Sequence, residues 1–324
     1  MTTKRLFTMG MAALMLAGCN HDDSLRTVDL KTPINLQLSV EGPVVNTRAD
    51  VAGNNFKTGD EVGLFLGTSE TETAADFEAI TDSKHRNVEF TREANGWDGT
   101  LYWQSTRDWH TLYAYAPYDK ELETNGTTMA YTISNDQQDP ADYAAADLLH
   151  YVSLPMKATA DAVPVSMKHC MAQLKIVLEE GADVDAAELD AMTPGMRLLN
   201  KDKFYTRFTF DLTSGAITQP QLSPYVEMTL QPESSTSKRT YYVIVCPGQA
   251  FMNGADFIRL KAADGTPYIY KLRLTGGGNL TVKAGECYTF KLKVNKAGIS
   301  LGSFSIDSWN YAQTEEGNAD MVTD

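Results

Sequence analysis

Alternation of apolar and polar residues runs through most of this chain, and it predicts strands along nearly its whole length. Segment 34–40 is the clearest example, and its apolar positions are Ile34, Leu36, Leu38 and Val40. Such period-2 alternation is typical of a strand that buries one face. Short runs rich in β-branched and aromatic residues predict further strands at 61–66, 87–91, 100–103, 111–116, 128–133, 163–168, 172–179, 205–211, 225–231, 240–246, 256–261, 268–274, 288–294 and 299–306.

Helical patterns are scarce by comparison. Only residues 142–149 and 186–192 resemble helices. The run "TGGGN" at 275–279 is a turn rather than a phosphate loop, because no helical pattern follows it. Many short strands with few helices predict an all-β sandwich architecture.

The N-terminus has the three parts of a secretory signal. Lys4 and Arg5 are followed by a short apolar stretch at 6–17, and Leu16-Ala17-Gly18-Cys19 resembles a bacterial lipobox. We therefore predict that residues 1–19 are a signal peptide ending at a lipidated Cys19. The alternative is an ordinary signal with a chance cysteine. No other segment approaches 18 continuous apolar residues, the minimum for a membrane helix.

Length and charge narrow the function classes. The chain has 324 residues and a formal net charge of −14. About 300 residues after signal removal favour two domains, and we place the break near residue 168. An acidic chain repels phosphate backbones, so we expect no nucleic-acid partner.

Residues with catalytic or metal-binding chemistry form no recognisable motif. Cys170, Cys246 and Cys287 form no CxxC pair, so they are either buried thiols or hold one disulfide. No two histidines have metal-ligand spacing, and the common nucleophile and phosphate-loop motifs are absent. We expect no enzyme, no metal and no cofactor, although abundant carboxylates leave a glycosidase pair open.

The most unusual segment is aromatic and spans residues 96–118. Its Trp97, Trp103 and Trp109 could stack on sugar rings, or they could belong to the core of a sandwich. Tyr113 and Tyr115 lie two apart and are predicted to share one face of a strand.

Arg48 is the only basic residue between Lys31 and Lys57. It lies in a polar stretch after the first predicted strand, where an exposed arginine is accessible to a protease. The alternative is an ordinary loop residue, with strand 34–40 retained permanently.

The order of these features resembles the fimbrillin family of Bacteroidales, the type V pilin lipoproteins. The resemblance rests on the lipobox, the early strand and Arg48, followed by "FKTGDEVGLFL" (56–66) and "YAYAPY" (113–118). "MKHCMAQLKIVLE" (167–179) and "AGECYTFKLKVNKAGISLGSFSIDSWN" (284–310) complete the order. It covers nearly the whole chain.

The resemblance implies two tandem transthyretin-like β-sandwich domains, at 49–168 and 169–324, after a tether and removable strand at 20–48. It implies an outer membrane lipoprotein exported to the cell surface and the fimbrium. An arginine-specific surface protease would cut between Arg48 and Ala49 and remove strand 34–40. The implied partners are other fimbrial subunits, that protease, and host or bacterial surface ligands; a lipid anchor would hold the chain before processing.

The physics of a missing strand agrees with this scheme. A sheet that lacks one strand exposes unpaired main-chain groups and an apolar trench. A strand from another subunit can pair with those groups and cover the trench. The tail after Trp309 is a poor donor, and residues 298–306 alternate only in part. The sequence therefore predicts a fimbrial subunit, of stalk or tip type, that serves cell adhesion. The alternative is a monomeric surface lipoprotein that binds carbohydrate.

Overall fold

The computed structural model describes residues 28–41, 56–122, 124–192, 196–233, 239–262, 264–274 and 276–309. These residues form strands with two short helices, α1 (Pro140–Ala146) and α2 (Ala186–Met192). The strands up to residue 169 are β1 (Leu36–Val40), β2 (Glu61–Ser69), β3 (Val88–Glu93), β4 (Gly96–Asp98), β5 (Trp109–Ala116), β6 (Thr124–Asn125), β7 (Thr128–Thr132), β8 (Leu149–Val152), β9 (Met156–Lys157) and β10 (Val163–His169).

The strands after residue 169 complete the set. They are β11 (Ala172–Glu180), β12 (Arg197–Leu199), β13 (Tyr205–Asp211), β14 (Ile217–Leu222), β15 (Glu227–Thr229), β16 (Gln231–Pro232), β17 (Thr240–Val245), β18 (Ala250–Phe251), β19 (Asp256–Lys261), β20 (Pro267–Lys271), β21 (Leu280–Thr281), β22 (Glu286–Asn295) and β23 (Gly298–Ser308). The predicted all-β class is confirmed, since strands dominate the described chain.

Two local predictions were wrong. The strand predicted at 100–103 is irregular chain, and the neighbouring strand is β4 instead. The helix predicted at 142–149 begins earlier and ends at Ala146, and Leu149 opens β8. Its start is set by Asp139, whose side chain accepts a hydrogen bond from the Ala141 N–H at 2.8 Å. Pro140 follows the cap and favours the first helical turn.

An eight-stranded sheet forms the first half of the molecule. Its strand order is β1-β10-β8-β5-β2-β3-β4, with β9 paired to β5. Both faces are covered by buried residues. Leu112 and Ala114 of β5 face one cluster, which we call the first core, while Tyr113 and Tyr115 face a second, which we call the junction core. The predicted common face of the two tyrosines is therefore confirmed.

Two further sheets form a sandwich in the second half. The five-stranded sheet has the order β16-β17-β11-β22-β23, and the four-stranded sheet has the order β15-β12-β19-β20. They enclose a separate core that includes Leu174, Val243, Phe257 and Phe290. The alternation that predicted β11 and β22 reflects this arrangement, because each strand directs one set of side chains into the core.

Another four-stranded sheet joins the two halves. Its order is β14-β13-β7-β6, so β13 from the second half pairs along β7 from the first half. The junction core fills the space between this sheet, β5 and β17. The predicted division after residue 168 falls inside β10, and the domain limits stay a prediction.

Candidate functional site

The strand predicted to be removable is an edge strand of the first sheet. β1 runs parallel to β10, in a register from Leu36 opposite Val163 to Val40 opposite Met167. Main-chain hydrogen bonds flank this ladder: the Val163 N–H donates to Asn35 O at 2.8 Å, and the Glu41 N–H donates to Met167 O at 2.7 Å. On its other side β1 has no neighbouring strand in the described sheet. Its loss would therefore turn β10 into an edge.

The side chains of β1 and of the residues before it follow the predicted alternation. Ile34 and Val40 are buried, and Leu36 and Leu38 are half-buried, all against the first core. The polar residues between them, such as Gln37, are exposed. Full burial of one apolar side chain stabilises the folded state by on the order of 1.5–3 kcal/mol. Packing against the first core therefore stabilises β1 in addition to its main-chain hydrogen bonds to β10.

The first core extends beyond β10 under this edge. The Ile34 N–H donates to Leu101 O at 2.8 Å, which ties the entry of β1 to the irregular segment before β5. Val163, Val165 and Met167 of β10 are buried in the same core. If β1 left, these apolar side chains would lose its packing and become accessible to solvent.

The remaining predicted processing residues lie outside the described part of the chain. These are the lipidation residue Cys19 and the cleavage pair Arg48 and Ala49. Their roles stay predictions.

The three tryptophans of the aromatic segment are not brought onto one surface. Trp103 is 4% exposed, and its indole N–H donates to Thr159 O at 2.9 Å. Trp97 packs against the first core and lies edge-on to Phe56 at 5.0 Å between ring centroids. Trp109 is on the face of β5 that carries Tyr113, opposite to that core. We therefore propose no glycan platform on these residues.

Trp103 has a buried titratable neighbour, His110, which supports a pH prediction. The two rings are 4.9 Å apart, and burial lowers the pKa of His110 to about 4 from its ordinary 6.5. The unfolded chain therefore binds this proton first, and stability is lost as the pH falls from about 6.5 towards 4. We expect His110→Phe to lose less stability than wild type over that window, measured by urea unfolding at each pH. Equal losses in both proteins would contradict the prediction.

The cysteines and histidines form no metal-binding cluster in the residues the structure covers. Cys170, Cys246 and Cys287 are free and buried in the junction core. Burial raises the pKa of each thiol to about 12, so none is a reactive thiolate near neutral pH. Within the described residues no three His, Cys, Asp or Glu side chains are placed to hold a metal ion. Nor does that part of the chain contain a helix long and apolar enough to cross a membrane.

Strand β10, the ladder partner of β1, is the element that sequence reasoning missed. Segment 163–168 was predicted as a strand, but its partner was not. One signal was available: Pro164 lies inside the strand, and proline is confined to edges, strand starts and bulges because it cannot donate a ladder hydrogen bond. That pattern marks β10 as a strand with one weakly paired side.

Comparison with known proteins decides the family. A family model for fimbrillin-like proteins matches residues 47–309. This chain belongs to the fimbrillin-like family. The family implies a fimbrial role and a location at the cell surface. The predicted resemblance is thereby confirmed.

Solved structures agree on the fold of this fimbrillin-like chain. A putative cell adhesion protein of Bacteroides ovatus aligns with a TM-score of 0.60 and 16% identity, over 86% of this chain and 98% of that one. A putative cell adhesion protein of Bacteroides uniformis aligns with a TM-score of 0.57 and 18% identity, over 78% of this chain and 93% of that one. A fimbrial protein of Bacteroides vulgatus aligns with a TM-score of 0.50 and 16% identity, over 86% of this chain and 99% of that one. Comparison with curated proteins gives no match.

Proposed function

We propose that this chain is a stalk or tip subunit of a cell-surface fimbria and serves adhesion. It travels as an outer membrane lipoprotein anchored through Cys19. A surface protease specific for arginine then cuts after Arg48, so that Ala49 becomes the N-terminus and strand 34–40 is lost. A strand from another subunit takes the vacated place beside β10.

The single observation that carries this proposal is the position of β1. It is an edge strand with one neighbour, and its apolar side chains lie in sockets of the first core. An edge strand can be exchanged without breaking the interior of a sheet, whereas a central strand cannot. The family match adds support, because it begins at residue 47 and leaves residues 34–40 outside the shared region.

The partners follow from the same scheme. Other fimbrial subunits supply and accept strands, the arginine-specific protease processes the chain, and host or bacterial surface ligands bind the finished fimbria. No catalytic role is proposed. The carbohydrate-binding alternative is not proposed either, because Trp97 and Trp103 pack on one side of the first sheet and Trp109 lies on the other.

Limited digestion tests the proposal. We expect an arginine-specific protease to cut the chain lacking residues 1–19 first after Arg48. Intact mass would report the cut, and size-exclusion chromatography would then show oligomers that the uncut chain lacks. The matched control is Arg48→Lys, which keeps the charge but is not a substrate, and it should stay uncut and monomeric.

One result would count against the proposal, and another would narrow it to the tip role. Resistance of Arg48 under conditions that cut other exposed arginines would mean that β1 is a permanent strand. A protein that is cut, loses residues 20–48 by mass and remains monomeric at all concentrations would contradict assembly by copies of this chain, and would restrict it to a singly incorporated tip.

A further inference from the structure

β10 consists of two parts that depend on different neighbours. Its first five residues, Val163–Met167, are the ones in register with β1. Only Lys168 and His169 pair with β8, opposite His150 and Leu149. β1 is therefore the ladder partner of most of β10.

The sequence of β10 removes one hydrogen-bond donor from the β8 side of its first part. The main chain of Val163 and Met167 is directed at β1, as their hydrogen bonds to Asn35 and Glu41 show. Alternate residues of a strand direct their main-chain groups to opposite sides. Pro164 is therefore directed at the β8 side, where it has no N–H to donate. On that side the Tyr151 hydroxyl donates a hydrogen bond to Pro164 O at 3.2 Å.

The far end of β10 is fixed independently of β1. His169 Nδ1 lies 2.7 Å from an Asp147 carboxylate oxygen, and its ring stacks on Trp309 with centroids 4.0 Å apart and planes 7° from parallel. The next residue is held as well, since the Cys170 N–H donates to Leu148 O at 2.8 Å. The side chains of His169 and Trp309 are almost fully buried. None of these contacts involves β1.

We propose that residues 163–167 are a conditional strand, ordered only while another strand occupies the position of β1. Once β1 leaves, this segment loses its ladder and the cover over its apolar side chains, and it is released up to Lys168. Binding of an incoming strand and ordering of residues 163–167 then occur in the same step. This inference rests on the proposed strand exchange, and it states that the acceptor groove is formed by the incoming strand rather than preformed.

Hydrogen exchange on the full chain tests this inference without any cleavage. Leu36→Asp with Leu38→Asp places two charges against the first core and should displace β1. The matched control is Gln37→Asp with Ser39→Asp, which adds the same charge to the exposed side of the same strand. Peptides spanning 34–41, 162–168 and 286–295 report β1, β10 and β22 by mass spectrometry.

The expected result is confined to two peptides. In the core-facing variant, 34–41 and 162–168 should exchange at least about tenfold faster than in wild type, while 286–295 keeps its protection. The control variant should match wild type at all three peptides. A free peptide of residues 34–41 added to the core-facing variant should restore protection at 162–168.

Three outcomes would overturn the inference. Protection kept at 162–168 while 34–41 is lost would show a preformed groove. Loss of protection at 286–295 as well would show that release is not confined to β10. If β1 stays bound in the variant, the test uses wild-type chain that has been cut after Arg48 and separated from its N-terminal fragment. Protection of peptide 162–168 in that cut protein would overturn the inference. Failure of the proposed function would appear separately, as resistance of Arg48 or absence of oligomers.

Discussion

Phe290→Ala will lower the free energy of unfolding by about 3–5 kcal/mol, the usual cost of emptying a buried aromatic site. Phe290 is 0% exposed, and its ring centroid lies 4.9 Å from that of Phe257 and 4.7 Å from that of Phe304. It projects from β22, the strand between β11 and the edge strand β23. A cavity there removes contacts from both sheets of the sandwich at once, and collapse is limited because the neighbours are rigid rings.

Urea unfolding of the chain lacking residues 1–19 measures this effect. The matched control is Lys291→Ala, the next residue of β22, whose side chain is exposed. We expect a change within about 0.5 kcal/mol for the control. A loss below about 1 kcal/mol for Phe290→Ala would mean that the sandwich refills the site, which the close ring packing does not predict.

The success of the sequence at β22 and its failure at β8 have the same physical origin. The second half of β22 alternates buried and exposed residues from Phe290 to Val294, and this local signal specifies a strand with one buried face. In "ADLLHYV" the apolar residues are adjacent rather than alternate, so Leu149 was assigned to a helix. It belongs to β8, a strand with neighbours on two sides, whose pairing depends on residues far away in sequence.

Which strand pairs with β1 could not be predicted from the sequence, for a related reason. Alternation in 34–40 predicted which side chains are buried, and the structure agrees at Ile34 and Val40. It could not predict that β1 runs parallel to β10, more than 120 residues later. Strand pairing is set by where the chain returns, and a single sequence contains no direct record of that. The tryptophans illustrate the same limit, since their packing depends on Phe56, Thr159 and Lys157 from other segments.

Gln137, in the loop after β7, binds one main-chain unit of β17 in the second half of the molecule. Its side-chain amide donates to Ile244 O at 2.8 Å and accepts from the Ile244 N–H at 2.8 Å. Gln137 is 0% exposed. β16 pairs with β17 only at Tyr241 and Tyr242, so at Ile244 the glutamine side chain takes the place of a neighbouring strand.

Gln137→Ala will therefore destabilise the fold by about 2–5 kcal/mol. The variant removes three side-chain hydrogen bonds, one to Ser134 O and two to Ile244. It leaves a buried N–H and a buried C=O on Ile244, each costing roughly 1–3 kcal/mol when unsatisfied. The measurement is urea unfolding, followed by hydrogen exchange of the peptide spanning 240–246. Gln138→Ala is the matched control, because Gln138 is the exposed neighbour and should change stability by less than about 0.5 kcal/mol.

Faster hydrogen exchange restricted to peptide 240–246 would show that the Gln137 contact stabilises β17 only locally. Loss of protection at β13 and β7 as well would show that the contact also stabilises the sheet that joins the two halves. Unchanged stability in Gln137→Ala would contradict the prediction and imply that water satisfies Ile244. For a fimbrial subunit the distinction is mechanical. In the proposed assembly, a strand captured beside β10 would load the first sheet, and the force would reach the C-terminal sandwich through the junction core, the β7–β13 ladder and this amide. A variant weakened here would be expected to assemble normally and yet break under tension.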